Sequence, residues 1–432
     1  MRGVFGFVAA ALAGLVMQSA ADATLARTGG IDDIIIGKDN TLNRTSTRFK
    51  MASFQNGTLP ISVVNNFGDG MYMYVTGLDS SGAPCLLGAN GQYIHPRTNS
   101  SGIPQEITGN IAFPLNGLGQ TTQVTLPGPL ISARIWFARG HLTFYTVLDG
   151  AGVPAIVEPS AANPRDPSAE ILWGFIEFNY DGITIYANIS YVDFVGLSLG
   201  MGLTLRSGET QIVKGLEAGA VTNVCKGVKS QTNADGRPWD KLCVTGSSGE
   251  ALRVLSPNLY VSANPARFSG YYDEYVNQVW AQYANRDLII NTQAKAGNVT
   301  CRTAGDQLTC SGDNRSYPKP TAADIWGCNS GPFAIVGTDN LVHRAVVPRL
   351  CAAFARSTLL LSGGNIQPSL GADCYYTVNP TNHYSRIVHE FETDNSGYAF
   401  PYDDVNPDGE NAAGVVSGAY PTRLKVTVGC WS

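Results

Sequence analysis

The sequence predicts a mainly β fold, a barrel or sandwich interrupted by a mixed α/β insertion. Three observations carry this reading. From Leu59 onward, short β-prone runs alternate with Gly, Pro, Asn and Ser; Gly (48) and Pro (23) are abundant; and helical periodicity appears only beyond about residue 215. At 432 residues the chain exceeds the usual size of one core, so two substructures are expected. The predicted division is 1–23 signal peptide, 24–50 linker or short pro-segment, 51–215 β domain, 216–384 mixed α/β domain, and 385–432 a return to the β domain.

The first stretch carries Arg2, an apolar run over 4–16 and the small-residue ending Ala21-Asp22-Ala23, the pattern of a secretory signal cut after Ala23. Its apolar run is short for a bilayer span, and no later stretch is long enough, so no membrane partner is expected. A net charge of -5 lacks the basic excess that drives nucleic-acid binding, which leaves a neutral polymer or small solute as the better partner. Nine cysteines in a secreted chain imply disulfides with one thiol over. Cys301 with Cys310 and Cys225 with Cys243 are close enough in sequence to pair; the pairing of Cys328, Cys351, Cys374 and Cys430 stays open, and Cys85 is the candidate free thiol. Sequons at Asn43, Asn56, Asn99, Asn188, Asn298 and Asn314 suit a eukaryotic extracellular protein.

Residues 24–50 are polar apart from the run at Ile34, Ile35 and Ile36. The strand series then runs ISVVNNF, MYMYVTGL, QYIH, TTQVTL, ARIWFARGHLTFYTV and PAIVEP, and continues as ILWGFIEFNY, GITIYANI and YVDFVGLSL. Further on, Tyr272, Tyr275, Val276, Val279, Trp280 and Tyr283 recur with the period of a helix face, with Ser269 as its expected cap. A second helix is expected over 348–358, with Pro348 in the first turn. The last 45 residues return to turns and strands.

The chemistry narrows by exclusion. The sequence has no G-x-S-x-G, no H-E-x-x-H and no phosphate-binding loop. The run from Asp404 to Gly409 begins like a calcium loop but has Val415 where the twelfth-position Glu would stand, so no metal or cofactor is expected. Carboxylates remain: Glu177, Asp181, Asp193, Glu390, Glu392, Asp394, Asp403 and Asp404. Two carboxyl groups, one protonated and one ionised, are what glycoside hydrolysis needs. Glu177 and Asp193 stand inside apolar runs, and antiparallel neighbouring strands would aim both into one groove.

The stretch IEFNYDGITIYANISYVDFVGLSL resembles the acidic-cleft segment of thaumatin-like proteins; ARIWFARGHLTF resembles their G-R-x-W-x-R-T segment and GYAFPYDDV their Y-x-Y-A-x-D-D segment. The closer resemblance, supported by FSGYYDEYVNQVWAQY, RLCAAFARSTLL and HYSRIVHEF and covering about residues 50–430, is to the glycoside hydrolase family 64 β-1,3-glucanases. It implies a thaumatin-like β barrel or sandwich with an inserted α/β domain, a wide groove between them, and endo-acting, inverting hydrolysis of β-1,3-glucan by a monomer without a cofactor. It further implies Glu177 as general acid and Asp193 as general base, with Asn179, Asp181, Tyr186, Asp403 and Asp404 at the substrate. Asn188 departs from the thaumatin pattern, which has an acid there. Arg139, His141, Trp136 and Trp173 are further candidates for the groove lining. The rival readings are a thaumatin-like protein that binds glucan without cutting it, and a hydrolase of chitin or another polysaccharide.

Overall fold

The computed structural model describes residues 24–36, 39–43, 57–98 and 103–431. The expected signal peptide and the sequons at Asn56 and Asn99 lie outside the described residues.

Two large sheets carry the β part. In the first, the strands Val416–Ala419, Thr184–Ile189, Leu172–Tyr180, Leu130–Arg139, Met71–Leu78, Pro84–Leu87 and Tyr93–Ile94 lie side by side in that order. In the second the order is Thr210–Val213, Leu199–Leu205, Pro421–Val428, Leu59–Asn65 and Thr121–Leu126. Alternation explains why they stack: Ala133, Ile135 and Phe137 on one strand and Ile176 and Phe178 on its neighbour point inward. They share one continuous apolar core with Ile61, Val63, Met201, Leu203, Leu424 and Val426 of the second sheet. Among the described residues no sheet closes on itself, so the barrel form of the expectation is not met; the molecule is layered. Pro421–Val428 pairs in parallel with Leu59–Asn65, which brings the end of the chain back to the β part.

The mixed region contributes the helices Ala220–Asp235, Pro257–Ala263, Asp273–Tyr283, Ala322–Gly327, Leu341–Ala355 and His383–Glu390, and a sheet built from strands between Leu288 and Gln367. Residue 215 is not a clean break. A small sheet ordered Thr24–Leu25, Cys243–Thr245, Ala251–Leu255 and Phe194–Val195 joins the N-terminal segment, the mixed region and the β part. The described portions of the expected linker are accordingly hydrogen-bonded into the body, Thr24–Leu25 to the strand at Cys243 and Thr41–Leu42 to Pro154–Val157.

The helix expected around Tyr275 forms with the expected inner face, Tyr275, Val276, Val279, Trp280 and Tyr283. It starts at Asp273 with Tyr272 in the capping position and no side-chain cap, so Ser269 lies too early to serve. The second helix starts well before its expected position. Asn340 caps it by accepting from the His343 amide, and Pro348 falls in its interior. A proline there removes one helical donor, but Val346, Val347, Leu350, Cys351 and Phe354 are buried around it and hold the helix through the gap. Disulfides join Cys225 to Cys243, Cys301 to Cys310 and Cys328 to Cys351; Cys85 is free as expected, but Cys374 and Cys430 are free as well. Among the described residues no helix is long and apolar enough to cross a membrane.

The shared core makes a stability prediction. Ile176→Ala, at a fully buried position, should cost about 2–5 kcal/mol, while Tyr186→Ala on the solvent side should stay within about 0.5 kcal/mol. Chemical denaturation of the two variants measures the contrast.

Candidate active site

The centre of the site is a row of side chains running straight across four strands. Thr76 lies opposite Arg134, Arg134 opposite Glu177, and Glu177 opposite Asn188, so all four rise from the same sheet face. The register that produces this row includes an irregularity just before Arg134, where Ser132 takes a left-handed conformation (φ 46°). Its backbone N–H donates to Asn179 Oδ1 at 2.8 Å, so Asn179 satisfies a group that the bulge removes from the ladder.

Arg134 binds three carboxylates. Its Nη1 lies 2.8 Å from Glu158, its Nη2 lies 3.2 Å from Glu177 Oε1 and 4.0 Å from Asp193 Oδ2, and its Nε donates to the same Glu177 oxygen at 3.3 Å. The guanidinium is stacked over Phe175 at 4.4 Å. Burial works against its charge, but Glu158, Glu177 and Asp193 together outweigh that and raise its pKa, so it is a permanent cation. Glu158 is 5 % exposed and its pKa is raised by burial, against the opposing pull of Arg134 and Thr76. A one-way chain fixes it: Trp136 Nε1 donates to Thr76 Oγ1 at 2.9 Å, and Thr76 donates to Glu158 Oε1 at 2.6 Å.

Asp193 arrives from elsewhere. It does not stand on a strand of the Glu177 sheet, as the sequence reading expected, but on the turn before the two-residue strand Phe194–Val195, which pairs with Ala251–Leu255. Its carbonyl accepts from the Ser256 amide at 2.8 Å, and Tyr384 holds the preceding turn by donating to the Tyr191 carbonyl at 2.6 Å. Both acids therefore reach one guanidinium nitrogen from two different sheets. With Glu177 Oε1 at 3.2 Å and Asp193 Oδ2 at 4.0 Å from Nη2, these two oxygens lie at most about 7 Å apart, close enough to act on one bound group.

The supporting residues divide. Tyr186 lies opposite Asn179 on the face of Glu177 and is 42 % exposed, open to a ligand. Asp181 is a turn residue whose Oδ1 accepts from the amides of Ile183 and Thr184. Asp403 is corrected: its carboxylate is 1 % exposed and is spent on Arg356 at 2.8 Å, His389 at 3.0 Å and the Ala399 amide, which leaves it no access to substrate. Its neighbour Asp404 is exposed and accepts from the Tyr398 hydroxyl. Trp136 and Trp173 are buried packing partners rather than stacking platforms. Arg139 sits at the end of its strand on the opposite pleat from Arg134, and exposed His141 stacks on Tyr72. The two residues that sequence reasoning missed are Arg134 and Glu158. The first stood in the quoted ARIWF segment, on the same pleat as Trp136; nothing local marks the second.

The family model of glycoside hydrolase 64, β-1,3-glucanase, matches residues 57–428. A glucan endo-1,3-β-glucosidase of Cellulosimicrobium cellulans is 26% identical over 367 residues, and one of an Arthrobacter strain is equally similar. The match takes in 82% of this chain and spans 62% of the length of each of these relatives. Among solved structures, that of a laminaripentaose-producing β-1,3-glucanase in complex with laminaritetraose has a TM-score of 0.74 at 28% identity, covering 86% of this chain and 99% of that one. A family 64 β-1,3-glucanase domain from Clostridium beijerinckii shares the fold, with a TM-score of 0.67 at 20% identity over 88% of this chain and 100% of that one.

Two outcomes test the assignments around Asp403. Removing one partner of a buried ion pair costs about 3–5 kcal/mol, so Asp403→Ala should lower the denaturation midpoint while KM of the folded fraction is unchanged. The pKa of His389 is opposed by burial but pushed up to about 10 by Glu392 and Asp403. A group raised in the folded state gives its full stabilisation below its unfolded value of about 6.5 and loses it as the pH climbs through the folded one. Wild type should therefore lose stability between about pH 6.5 and 10, and His389→Gln should flatten that slope in denaturation curves taken across the range.

Proposed function

Because this chain belongs to the glycoside hydrolase family 64 β-1,3-glucanases, we propose that it hydrolyses β-1,3-glucan internally, by a single displacement that inverts the anomeric centre. The observation that carries the proposal is the convergence of Glu177 and Asp193 on Arg134 from separate sheets. The kinship to an enzyme solved with laminaritetraose supports the substrate class.

In this reading Glu177 is the general acid. It gives its proton to the glycosidic oxygen as the bond to the anomeric carbon breaks, and the charge that develops on Glu177 lies beside the Arg134 guanidinium. Asp193 is the general base: it takes a proton from a water that attacks the same carbon from the opposite side. Glu177 ends ionised and Asp193 protonated, and exchange with solvent restores both. The limit of about 7 Å between the nearer carboxylate oxygens admits both the separation of about 5 to 5.5 Å of retaining enzymes and the start of the inverting range at about 6.5 Å, so the anomer of the first product decides between them. Tyr186, Asn179 through its amide nitrogen, and exposed Asp404 supply contacts to the sugar; Asp181 shapes the turn between them.

The thaumatin-like scaffold, the wide groove and the release of short laminarioligosaccharides belong to the same proposal. Secretion is proposed on the pattern of residues 1–23 and the three disulfides, and action as a monomer on the fact that one chain supplies both carboxylates and their cation. The glucan-binding and chitin-hydrolysing alternatives are less well supported, because the acid pair is complete and the matched family is one of β-1,3-glucanases.

Glu177→Gln should abolish reducing-sugar release from laminarin or curdlan, and Asp193→Asn should do the same, with both variants folded as judged by circular dichroism. Retention of most activity by either variant would remove it from the mechanism. Proton NMR of the first product should show the α anomer; a β product would mean a retaining reaction.

A further inference from the structure

The N-terminal segment reaches the catalytic recess. Thr24–Leu25 pairs with Cys243–Thr245, the Arg27 amide donates to the Pro164 carbonyl at 2.8 Å, and Asp33 is tied to Arg165 at 2.7 Å and, through its carbonyl, to Asn163 at 2.7 Å. Thr41–Leu42 then adds to the edge of Pro154–Val157. Between these anchors lie Asp39 and Asn40, and both line the recess that also holds Arg134, Phe175, Asp193 and Leu259.

Asn40 fixes the position. It is 3 % exposed, and its Nδ2 donates to the Ile35 carbonyl at 2.8 Å and the Glu158 carbonyl at 3.3 Å. Its own carbonyl accepts from the Glu158 amide at 2.8 Å. The residue that neutralises Arg134 from behind is thus the residue that holds the segment in place. Asp39, one position earlier, is exposed, and among the described residues its carboxylate takes part in no hydrogen bond or ion pair. The segment lies upstream of the stretch matched by the family, which begins at residue 57.

We propose that the described residues of this segment, 24–36 and 39–43, form a strap that builds one wall of the substrate cleft, and that Asp39 is a specificity-determining residue that accepts hydrogen bonds from hydroxyl groups of a glucosyl unit next to the scissile bond. The proposal rests on the β-1,3-glucanase reading. A neutral polyol is the ligand that suits a carboxylate at this position, because among the described residues that line the recess Arg134 is the one cation and it already carries three acids. A carboxylate that accepts from sugar hydroxyls contributes to binding without entering the proton transfers.

Kinetics of wild type, Asp39→Ala and Asp39→Asn on laminarioligosaccharides test this. A lost hydrogen bond to a charged group should raise KM about ten-fold or more in Asp39→Ala, with kcat within about two-fold, an unchanged melting temperature and partial recovery in Asp39→Asn. Values within about two-fold of wild type for both constants would overturn the role of Asp39 and leave the proposed activity standing. A fall in KM would mean that the carboxylate obstructs the cleft, and joint loss of kcat and thermal stability would mean that it only supports the fold; either overturns the proposal. A wild type that releases no sugar from any β-1,3-glucan overturns the activity, and this inference with it.

Discussion

The site depends on one guanidinium holding several acids. Arg134 is largely buried and faces Glu158, Glu177 and Asp193, so like charges that would otherwise repel are gathered around one cation. Phe175 beneath the guanidinium plane and the Trp136, Thr76 and Glu158 relay behind it leave the side chain little freedom. A lysine could not reproduce this, since it offers a point charge where the site uses a planar fork with donors in several directions. The positions of both proposed catalytic groups are set by a residue that itself need not touch the reacting atoms.

The fold serves that arrangement by crossing two sheets at one point. The large sheet sets Glu177 by register alone, with the bulge at Ser132 and its Asn179 partner placing Arg134 opposite. Asp193 is set by a different ladder, through Phe194–Val195 and the Ser256 amide at the start of the helix Pro257–Ala263. Near the chain end, the buried set of Arg356, His389, Glu392 and Asp403 ties the helix His383–Glu390 to the returning chain. That helix carries Tyr384, which holds the turn leading to Asp193.

Much of this was legible in the sequence, for identifiable reasons. Strand alternation around Phe175, Glu177 and Asn179 is local, and so is the helix face at Tyr275; both survive into the structure. The acids Glu177 and Asp193 stood out because each interrupts an apolar run. What failed was non-local. That Asp193 belongs to another sheet is decided by pairing with residues some sixty positions later, and that Glu158 backs Arg134 is decided by the Thr76 relay across the sheet. Asp403 looked like a groove acid because sequence shows charge but not the arginine and histidine that consume it. The strand at Leu130–Arg139 offered two arginines, and only the pleat shared with Trp136 singles out Arg134.

The seat of Asp193 has a further consequence for how the molecule matures. Its backbone is held by Ala251–Leu255 and Ser256, so the proposed general base is in place only when that part of the mixed region is docked on the β part. A chain whose first sheet is complete but whose mixed region is not would carry Glu177 and Arg134 without Asp193, and in the proposed mechanism it would lack the group that activates water. Under the proposed mechanism, damage confined to the region around Ala251–Leu255 and Ser256 would silence the site rather than leave it half active.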